Sequence, residues 1–535
     1  MSHAPPATLA AALRRAAVAH GSRPAVHDLR RSVTYAQLHQ RVLAAAACLS
    51  ARGVARGDRV AVRMDKGLPA VVALHAIHAM GAVFVPLDVR APPLRAARIL
   101  ADCGVRHVLA DRAGLRQRGA IDEACPELEW VSELGELATT EAPPGAQPEL
   151  EEPGPDELAY ILYTSGTTGT PKGIVHTHRS ALAFAGWAAE HYGLRPDDRV
   201  SSHAPFHFDL STLDLYSTVL AGACVVLLPP SILSFPFELV RVAHEQALTV
   251  WYSVPLALTE LLERGQLEQR PLPALRWVLF AGEPFPTAKL RRLARALPHA
   301  RLSNLYGPTE TNVCTFHDVV DIPDDDTPIP IGRPCPGARL RLRDADGRVL
   351  PLDALEPAAG ELEGELLVHG PTLMRGYWGN PEADAAAFWV ADDGTRYYRT
   401  GDRVRLGRDG ALSFLGRRDR QIKLRGHRIE LDEIEHALAS HPAVEACAAL
   451  VVRRSGSDVL HAAVVPTLER RSDPALDVEL HAHMAARLPP YTMPSIEFHA
   501  ALPRTSTGKI DRRALVAIVS ARHRDPTPDP SQEPP

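Results

Sequence analysis

The sequence predicts an α/β protein with a large N-terminal domain of two βαβ layered sheets plus a small β unit, followed by a smaller α+β C-terminal lid domain. Three observations predict it. Strand-like and helix-like segments alternate from Arg59 to Ala110 and again from Arg199 to Ala281, the pattern of mainly parallel sheets covered by helices. From about Pro328 to Phe414 the chain changes to short strands broken by Gly, Pro and Asp turns, as in a small β unit. From Arg420 to Ser520 it carries an α+β pattern of its own. The expected division is 1–418 as an N-terminal core, 419–520 as a separate lid, and 521–535 as a tail too rich in Pro, Asp and Gln to order.

Taken in order, Ala7 to His20 has helical spacing, and Val33-Thr34-Tyr35 reads as a strand entering a helix over Ala36 to Leu49. Arg59 to Arg63, Val83 to Leu87 and Val105 to Ala110 read as strands, with helices over Leu68 to Met80 and Pro93 to Asp102. A Pro-rich, acidic connection runs from Glu141 to Glu157. Beyond it, strands are expected at Leu158 to Leu162, Arg199 to Ser202, Cys224 to Leu228, Thr249 to Val254 and Trp277 to Ala281. In the last third, Ile434 to Leu438 reads as helix and Cys447 to Val452 and Val459 to Val464 as strands.

At 535 residues the chain is too long for one compact core, and its 45% hydrophobic content is that of a globular protein. A net charge of -5 leaves no broad basic field, which argues against nucleic acid as a principal partner. The cysteines at 48, 103, 125, 224, 314, 335 and 447 form no CxxC pair and read as reduced thiols of a cytosolic protein. Arg14 and Arg15 interrupt the N-terminal Ala-rich run, unlike a secretory segment. The longest apolar run, Leu215 to Leu228, stops at Pro229-Pro230 and is too short to span a bilayer. A cytoplasmic protein with no membrane partner is expected.

The stretch Tyr163-Thr164-Ser165-Gly166-Thr167-Thr168-Gly169-Thr170-Pro171-Lys172-Gly173 has the composition of a phosphate cradle. Its glycines and hydroxyl residues let N–H and O–H groups close on a polyanion, and Lys172 adds a point charge. It follows an apolar strand, so it leaves the end of a sheet, where nucleotides are usually bound. It is not a Walker loop, because the spacing differs and the Lys follows a Pro. A plain Ser/Thr/Gly surface loop is the bland reading, which the placed Pro-Lys-Gly disfavours.

Six further segments follow in order: Asn304-Leu305-Tyr306-Gly307-Pro308-Thr309-Glu310; Gly364-Glu365-Leu366 leading to Arg375-Gly376-Tyr377-Trp378; Tyr398-Arg399-Thr400-Gly401-Asp402; Gly416 to Lys423; Arg425-Gly426; and Pro503-Arg504-Thr505-Ser506-Thr507-Gly508-Lys509. With the cradle, and over about residues 30 to 515, these resemble the adenylate-forming superfamily, most closely the amino-acid adenylation domains of nonribosomal peptide synthesis. That resemblance implies ATP and Mg²⁺, with a carboxylate attacking the α-phosphate and the charge at phosphorus offset by fixed cations and dipoles. It puts Thr164, Ser165, Gly166, Thr167, Thr168, Gly169 and Lys172 on the β- and γ-phosphates and Thr309 at the α-phosphate. Glu310 would hold the metal, Asp402 would accept both ribose hydroxyls, and Arg417 would join the nucleotide site. Asn304 and Tyr306 would read and stack the adenine, and Lys509 would bridge the substrate carboxylate and the α-phosphate. Asp419 resembles the hinge of the lid, and Gly426 would line the path of a pantetheine arm. Outside such motifs, Asp402 would be a turn residue, Lys509 a surface lysine and Asp419 a solvated loop acid.

In Phe208-Asp209-Leu210-Ser211, Asp209 occupies the position that in the family pairs with the substrate α-ammonium; otherwise it would cap a helix over Leu213 to Leu220. By position the pocket lining is Leu210, Leu213, Tyr252, Leu279, Ala281, Leu305, Val313 and Cys314. These hold no second charge, so a polar side chain would lose hydration without a partner. The set resembles the pocket of stand-alone L-prolyl-AMP ligases that load proline for oxidation to a pyrrole-2-carboxyl group. L-Proline is therefore the expected substrate, with valine or another small apolar amino acid open, because such a pocket separates one methylene by only about 1–3 kcal/mol. The residues after Lys509 are too few for a carrier domain and contain no Gly-Gly-x-Ser, so the expected acceptor is a separate holo peptidyl carrier protein. An acyl-CoA synthetase of the same fold, disfavoured by Asp209, and a non-catalytic relative, disfavoured by Lys509, Glu310 and Asp402, are the competing readings.

Overall fold

The computed structural model describes residues 5–132, 151–164, 166, 171–352, 362–454, 457–504 and 510–522. The chain divides into two compact units, the first comprising Met1–Val89, Ala97–Thr164 and Lys172–Asp419, the second Arg90–Ala96, Ser165–Pro171 and Arg420–Pro535.

Three sheets build the first unit. In the nine-stranded sheet the strands Pro24–His27, Cys224–Leu227, Arg199–Ser202, Val250–Ser253, Trp277–Ala281 and Arg301–Tyr306 run parallel to their neighbours, and antiparallel strands close both edges. In the seven-stranded sheet Leu158–Thr164, Val83–Pro86, Arg59–Arg63, His107–Ala110 and Glu129–Val131 are parallel, and Lys172–Thr177 then Gly376–Tyr377 add antiparallel strands at one edge. The central strands are buried runs such as Val83–Pro86 and Trp277–Ala281, as expected of parallel strands covered on both faces.

One core joins the two sheets. It contains Val60, Val62 and Phe84 from one sheet, Val26, Val225 and Leu227 from the other, and the buried faces of helices Leu9–Ala19, Tyr35–Ala51 and Leu68–Ala79. The helix Tyr35–Ala51 starts where Thr34 and Gln37 form a reciprocal capping box, and Leu68–Ala79 is buried from Ala70 through His78 because it lies wholly inside this layer. The third sheet pairs Arg339–Arg343, Leu362–His369 and Arg396–Leu406 antiparallel, with Leu412–Arg417 beside the last, and is the small β unit expected from the turn-rich composition.

The apolar run from Leu215 to Leu228 resolves into several elements. A π-helical turn, Leu213–Ser217, leads into the short helix Thr218–Ala221, then a left-handed Gly222, then the strand Cys224–Leu227. Among the described residues no helix is long and apolar enough to cross a membrane.

In the second unit the hairpin Gln421–Leu424/His427–Glu430 precedes helix Leu431–Ala439, and a three-stranded sheet of Val444–Arg454, Ser457–Pro466 and Ser495–Phe498 follows. Its helix Arg512–Arg522 buries Leu515 and Val519 with Ala448, Leu450 and Val452. That helix includes Ala521 and Arg522, so the tail expected to be disordered from 521 is helical in its first two residues, both exposed, with Arg522 held by an ion pair to Glu497.

Candidate active site

The cradle joins two antiparallel strands. Thr164 ends one, Lys172 begins the next, and the two residues pair in register. A hairpin at a sheet edge thus takes the place of the strand-to-helix turn of a Walker loop. Ser165, Thr167, Thr168, Gly169 and Thr170 lie outside the described residues.

Lys172 has a partner that the motif reading left without a role. Its Nζ stands 5.6 Å from the centroid of the Tyr377 ring, a cation–π contact. Tyr377 reaches this position because Gly376–Tyr377 pairs with Val175 and Ile174, while Trp378 N donates to Gly173 O at 2.7 Å. The Tyr377 hydroxyl donates to Glu310 Oε1 at 2.8 Å, and Glu310 is 1% exposed. The ammonium of Lys172 and the carboxylate of Glu310 are therefore arranged around one phenol.

Thr309 is fixed from the other side. His176 Nε2 lies 2.9 Å from Thr309 O, so that ring nitrogen carries the proton and donates. Burial lowers the His176 pKa to about 4, which keeps the ring neutral near pH 7. The turn before it requires Gly307, because a Cβ there would meet Asn312 O at 1.7 Å.

Asp402 is fully buried in the middle of the strand Arg396–Leu406. Its Oδ2 accepts from the Tyr306 hydroxyl at 2.5 Å, and its Oδ1 pairs with Arg417, whose 9% exposed guanidinium also forks onto Asp419 at 2.7 Å on both oxygens. Burial and the neighbouring Asp402 raise the Tyr306 pKa well above its ordinary value, so the phenol keeps the proton it donates. Asn304, on the same strand as Tyr306, donates from Nδ2 to Pro330 O at 2.8 Å. Asp402, Tyr306, Arg417 and Asp419 are thus one network, in which two basic or donor groups hold the buried carboxylate.

Seven of the eight residues expected to line the acyl pocket share one core cluster. Leu210, Leu213, Tyr252, Leu279, Ala281, Leu305 and Val313 pack in a single buried cluster with half-buried Phe208 at its margin. Cys314 departs from the expectation. It packs with Tyr306, Leu340 and Leu366 in the neighbouring cluster, its thiol 3.5 Å from Tyr306 O, so the strand alternation at the start of Thr315–Val319 parts it from Val313. Asp209 is half-buried at the mouth of the turn. Its backbone carbonyl accepts from Thr212 Oγ1 at 2.6 Å, and Thr212 Oγ1 in turn accepts from Asn312 Nδ2 at 3.0 Å. Burial, with the Asp209 carboxylate among the neighbouring charges, pushes the phenols of Tyr160 and Tyr252 well above the usual range.

In the second unit Arg425 and Gly426 have φ of 54° and 76° and form the two-residue turn between the strands Gln421–Leu424 and His427–Glu430. The glycine is therefore demanded locally by a hairpin turn with both φ values positive, before any question of a passing ligand. Lys509 lies outside the described residues, which resume at Ile510, bridged to Arg504.

Known proteins match this chain over most of its length. A model of the AMP-binding enzyme family matches residues 13–378, and one of the AMP-binding enzyme C-terminal domain matches residues 433–509. An L-proline--[L-prolyl-carrier protein] ligase of Pseudomonas fluorescens is 39% identical over 501 residues, 92% of this chain and 96% of its own. A ligase of the same description from Streptomyces coelicolor is 37% identical over 519 residues, 93% of this chain and 94% of its own. The crystal structure of IdnL1 superposes with a TM-score of 0.78 at 31% identity, covering 94% of this chain and 100% of that one. The chain belongs to the AMP-binding enzyme family of adenylate-forming proteins and is an ATP-dependent, AMP-forming ligase.

Proposed function

We propose that this ligase activates L-proline as prolyl-AMP and transfers the prolyl group to the phosphopantetheine thiol of a separate peptidyl carrier protein, feeding a pyrrole-2-carboxyl unit into a secondary metabolite. The observation that carries the substrate is the buried apolar cluster of Leu210, Leu213, Tyr252, Leu279, Ala281, Leu305 and Val313, with the half-buried Asp209 preceding Leu210. A lining of this composition suits a ring of methylenes, and a secondary ammonium would pair with Asp209. The carrier as acceptor is supported by the two relatives described as proline–carrier-protein ligases.

In the first half-reaction the proline carboxylate attacks the α-phosphorus; an O–P bond forms, the α–β bridge breaks, and pyrophosphate leaves. Lys172 and the cradle neutralise the leaving phosphates, Lys509 offsets the approaching anions, and Asp402 and Tyr306 orient ribose and adenine. Among the described residues no group of three or more His, Cys, Asp or Glu gathers as a metal cage, while Glu310 offers one buried carboxylate. That donor set fits Mg²⁺, which is commonly held by one or two carboxylates plus substrate phosphates and water and would supply neutralising charge there. In the second half-reaction the carrier thiol attacks the acyl carbon; a C–S bond forms, the C–O bond to phosphate breaks, and AMP leaves. We assign 1–418, together with Lys509 of the lid 419–520, to the first chemistry, and the lid turned about Asp419, with Gly426 beside the pantetheine, to the second.

ATP–pyrophosphate exchange across the amino acids, repeated with CoA and with a holo carrier protein as acceptors, tests this. Proline should lead, thioester should form on the carrier, and Asp209→Ala should raise the KM for proline at least about tenfold through loss of a charge-assisted contact. Preference for an aryl acid, transfer to CoA alone, or an unchanged proline KM in Asp209→Ala would overturn it.

A further inference from the structure

Beneath the acyl cluster lies a pair of buried charges that the reading above leaves without a role. Lys66 follows the strand Arg59–Arg63 and is 8% exposed. Its Nζ donates to two successive carbonyls, Ser202 O and His203 O, each at 2.7 Å. Those carbonyls end the strand Arg199–Ser202 and begin the segment that leads to Phe208 and Asp209. At the far end of the segment stands Asp214, 1% exposed, on the π-helical turn Leu213–Ser217, next to Leu213 in the cluster. The Lys66 and Asp214 charges act on each other, and burial drives each toward its neutral form, the lysine downward and the aspartate upward, against the pull of the partner's charge.

Three facts set this pair apart from ordinary core. A buried lysine is rare, and this one spends its donors on two successive main-chain carbonyls, of which Ser202 O also accepts from Leu228 N at 3.2 Å. The π turn carries an extra residue in its ring, a geometry that is uncommon and concentrated at functional sites. Lys66 ties the segment by hydrogen bonds at its 202–203 end, on the opposite sheet, while Asp214 at the other end is a buried carboxylate whose oxygens make no hydrogen bond among the described residues and whose charge acts on that ammonium.

We propose that Lys66 and Asp214 are positioning residues for the amino-acid substrate, setting where Asp209 and Leu213 stand relative to each other. The pair touches neither the substrate nor ATP; it acts through the segment 202–214. The inference rests on Asp209 being the ammonium partner.

The test is steady-state exchange with whichever carboxylic acid the unaltered enzyme activates best. Lys66→Met keeps the length and removes the donors. It should raise the KM for that acid about 10- to 100-fold, the scale of an ångström's misplacement, while the KM for ATP stays within about twofold. Lys66→Arg should recover part of the loss. Because Lys66→Met leaves Asp214 unpaired and endangers folding, the double variant Lys66→Met/Asp214→Leu removes both charges. It should melt as a folded protein yet keep the raised KM, since the ties to Ser202 and His203 are still missing. A folded double variant with an unaltered acid KM, or an equal rise in both KM values, overturns the proposal. If instead Asp209→Ala is without effect while Lys66→Met raises the KM, it is the assignment of Asp209 that fails.

Discussion

Tyr377 shows how one side chain links two charges that sequence motifs treat separately. Its ring faces Lys172 and its hydroxyl donates to the buried Glu310. Removing that hydroxyl leaves Glu310 with one donor fewer in a water-poor site, a loss of about 1.5–3 kcal/mol for a bond to a charged group. Tyr377→Phe should therefore lower exchange about 10- to 100-fold at limiting Mg²⁺, with partial recovery as Mg²⁺ is raised, read from rate against metal concentration; a metal-independent rate equal to the unaltered enzyme's contradicts the link. At this scale the sequence was most legible in which residues come together: Tyr306 and Asp402, expected in one nucleotide site, share a hydrogen bond. Tyr377 and His176 stayed unassigned because their partners are set by pairing between Gly376–Tyr377 and Lys172–Thr177, strands far apart in the chain. Cys314 went astray by one position, where alternation along a strand decides which core a side chain joins.

Elements buried on both faces were read well, since Arg59–Arg63, Cys224–Leu227 and Trp277–Ala281 are runs in which apolar residues leave no alternation to misjudge. Lys172–Thr177 was missed because its Lys, His and Thr mask a strand formed by antiparallel pairing, and Pro24–His27 because it opens on a proline. In the second unit one acid organises the elements. Glu435 on helix Leu431–Ala439 accepts from Arg420 at 2.6 and 2.8 Å, from Arg512 at 2.9 Å and from Ala449 N at 2.7 Å. Burial pushes its pKa up, but Arg420 and these hydrogen bonds outweigh it and hold the carboxyl below its usual value. Glu435→Ala would leave two guanidiniums without their shared acceptor and should destabilise that unit by about 3 kcal/mol. All six tryptophans lie at or before Trp389, so their fluorescence reports only the first unit. The loss should accordingly show in far-ultraviolet circular dichroism as an earlier transition while the tryptophan transition stays in place; coincident shifts in both would refute a local role.

Across the first unit the buried polar groups make acid the main threat to the fold. Burial depresses the pKa of His75, His176 and His178 to about 4, of His203 to about 3, and of His78 well below 6.5. Contacts agree: Leu9 N donates to His178 Nδ1 at 3.4 Å, which needs a lone pair there, and His78 Nε2 lies 2.9 Å from the Tyr216 hydroxyl. For each, the folded state binds fewer protons than the unfolded state between about pH 6.5 and 4. The stability these neutral rings contribute is thus complete above pH 6.5 and is lost as pH falls through that window, at up to about 1.4 kcal/mol per pH unit for every such histidine. Urea unfolding followed by tryptophan fluorescence should show stability falling steeply from pH 6.5 toward 4, with a slope of several protons. His178→Gln, whose side-chain oxygen can still accept from Leu9 N, should reduce that slope by about one proton while leaving the pH 7 midpoint less affected. A slope unchanged by this substitution would mean that His178 titrates alike in both states and that its burial does not govern its charge.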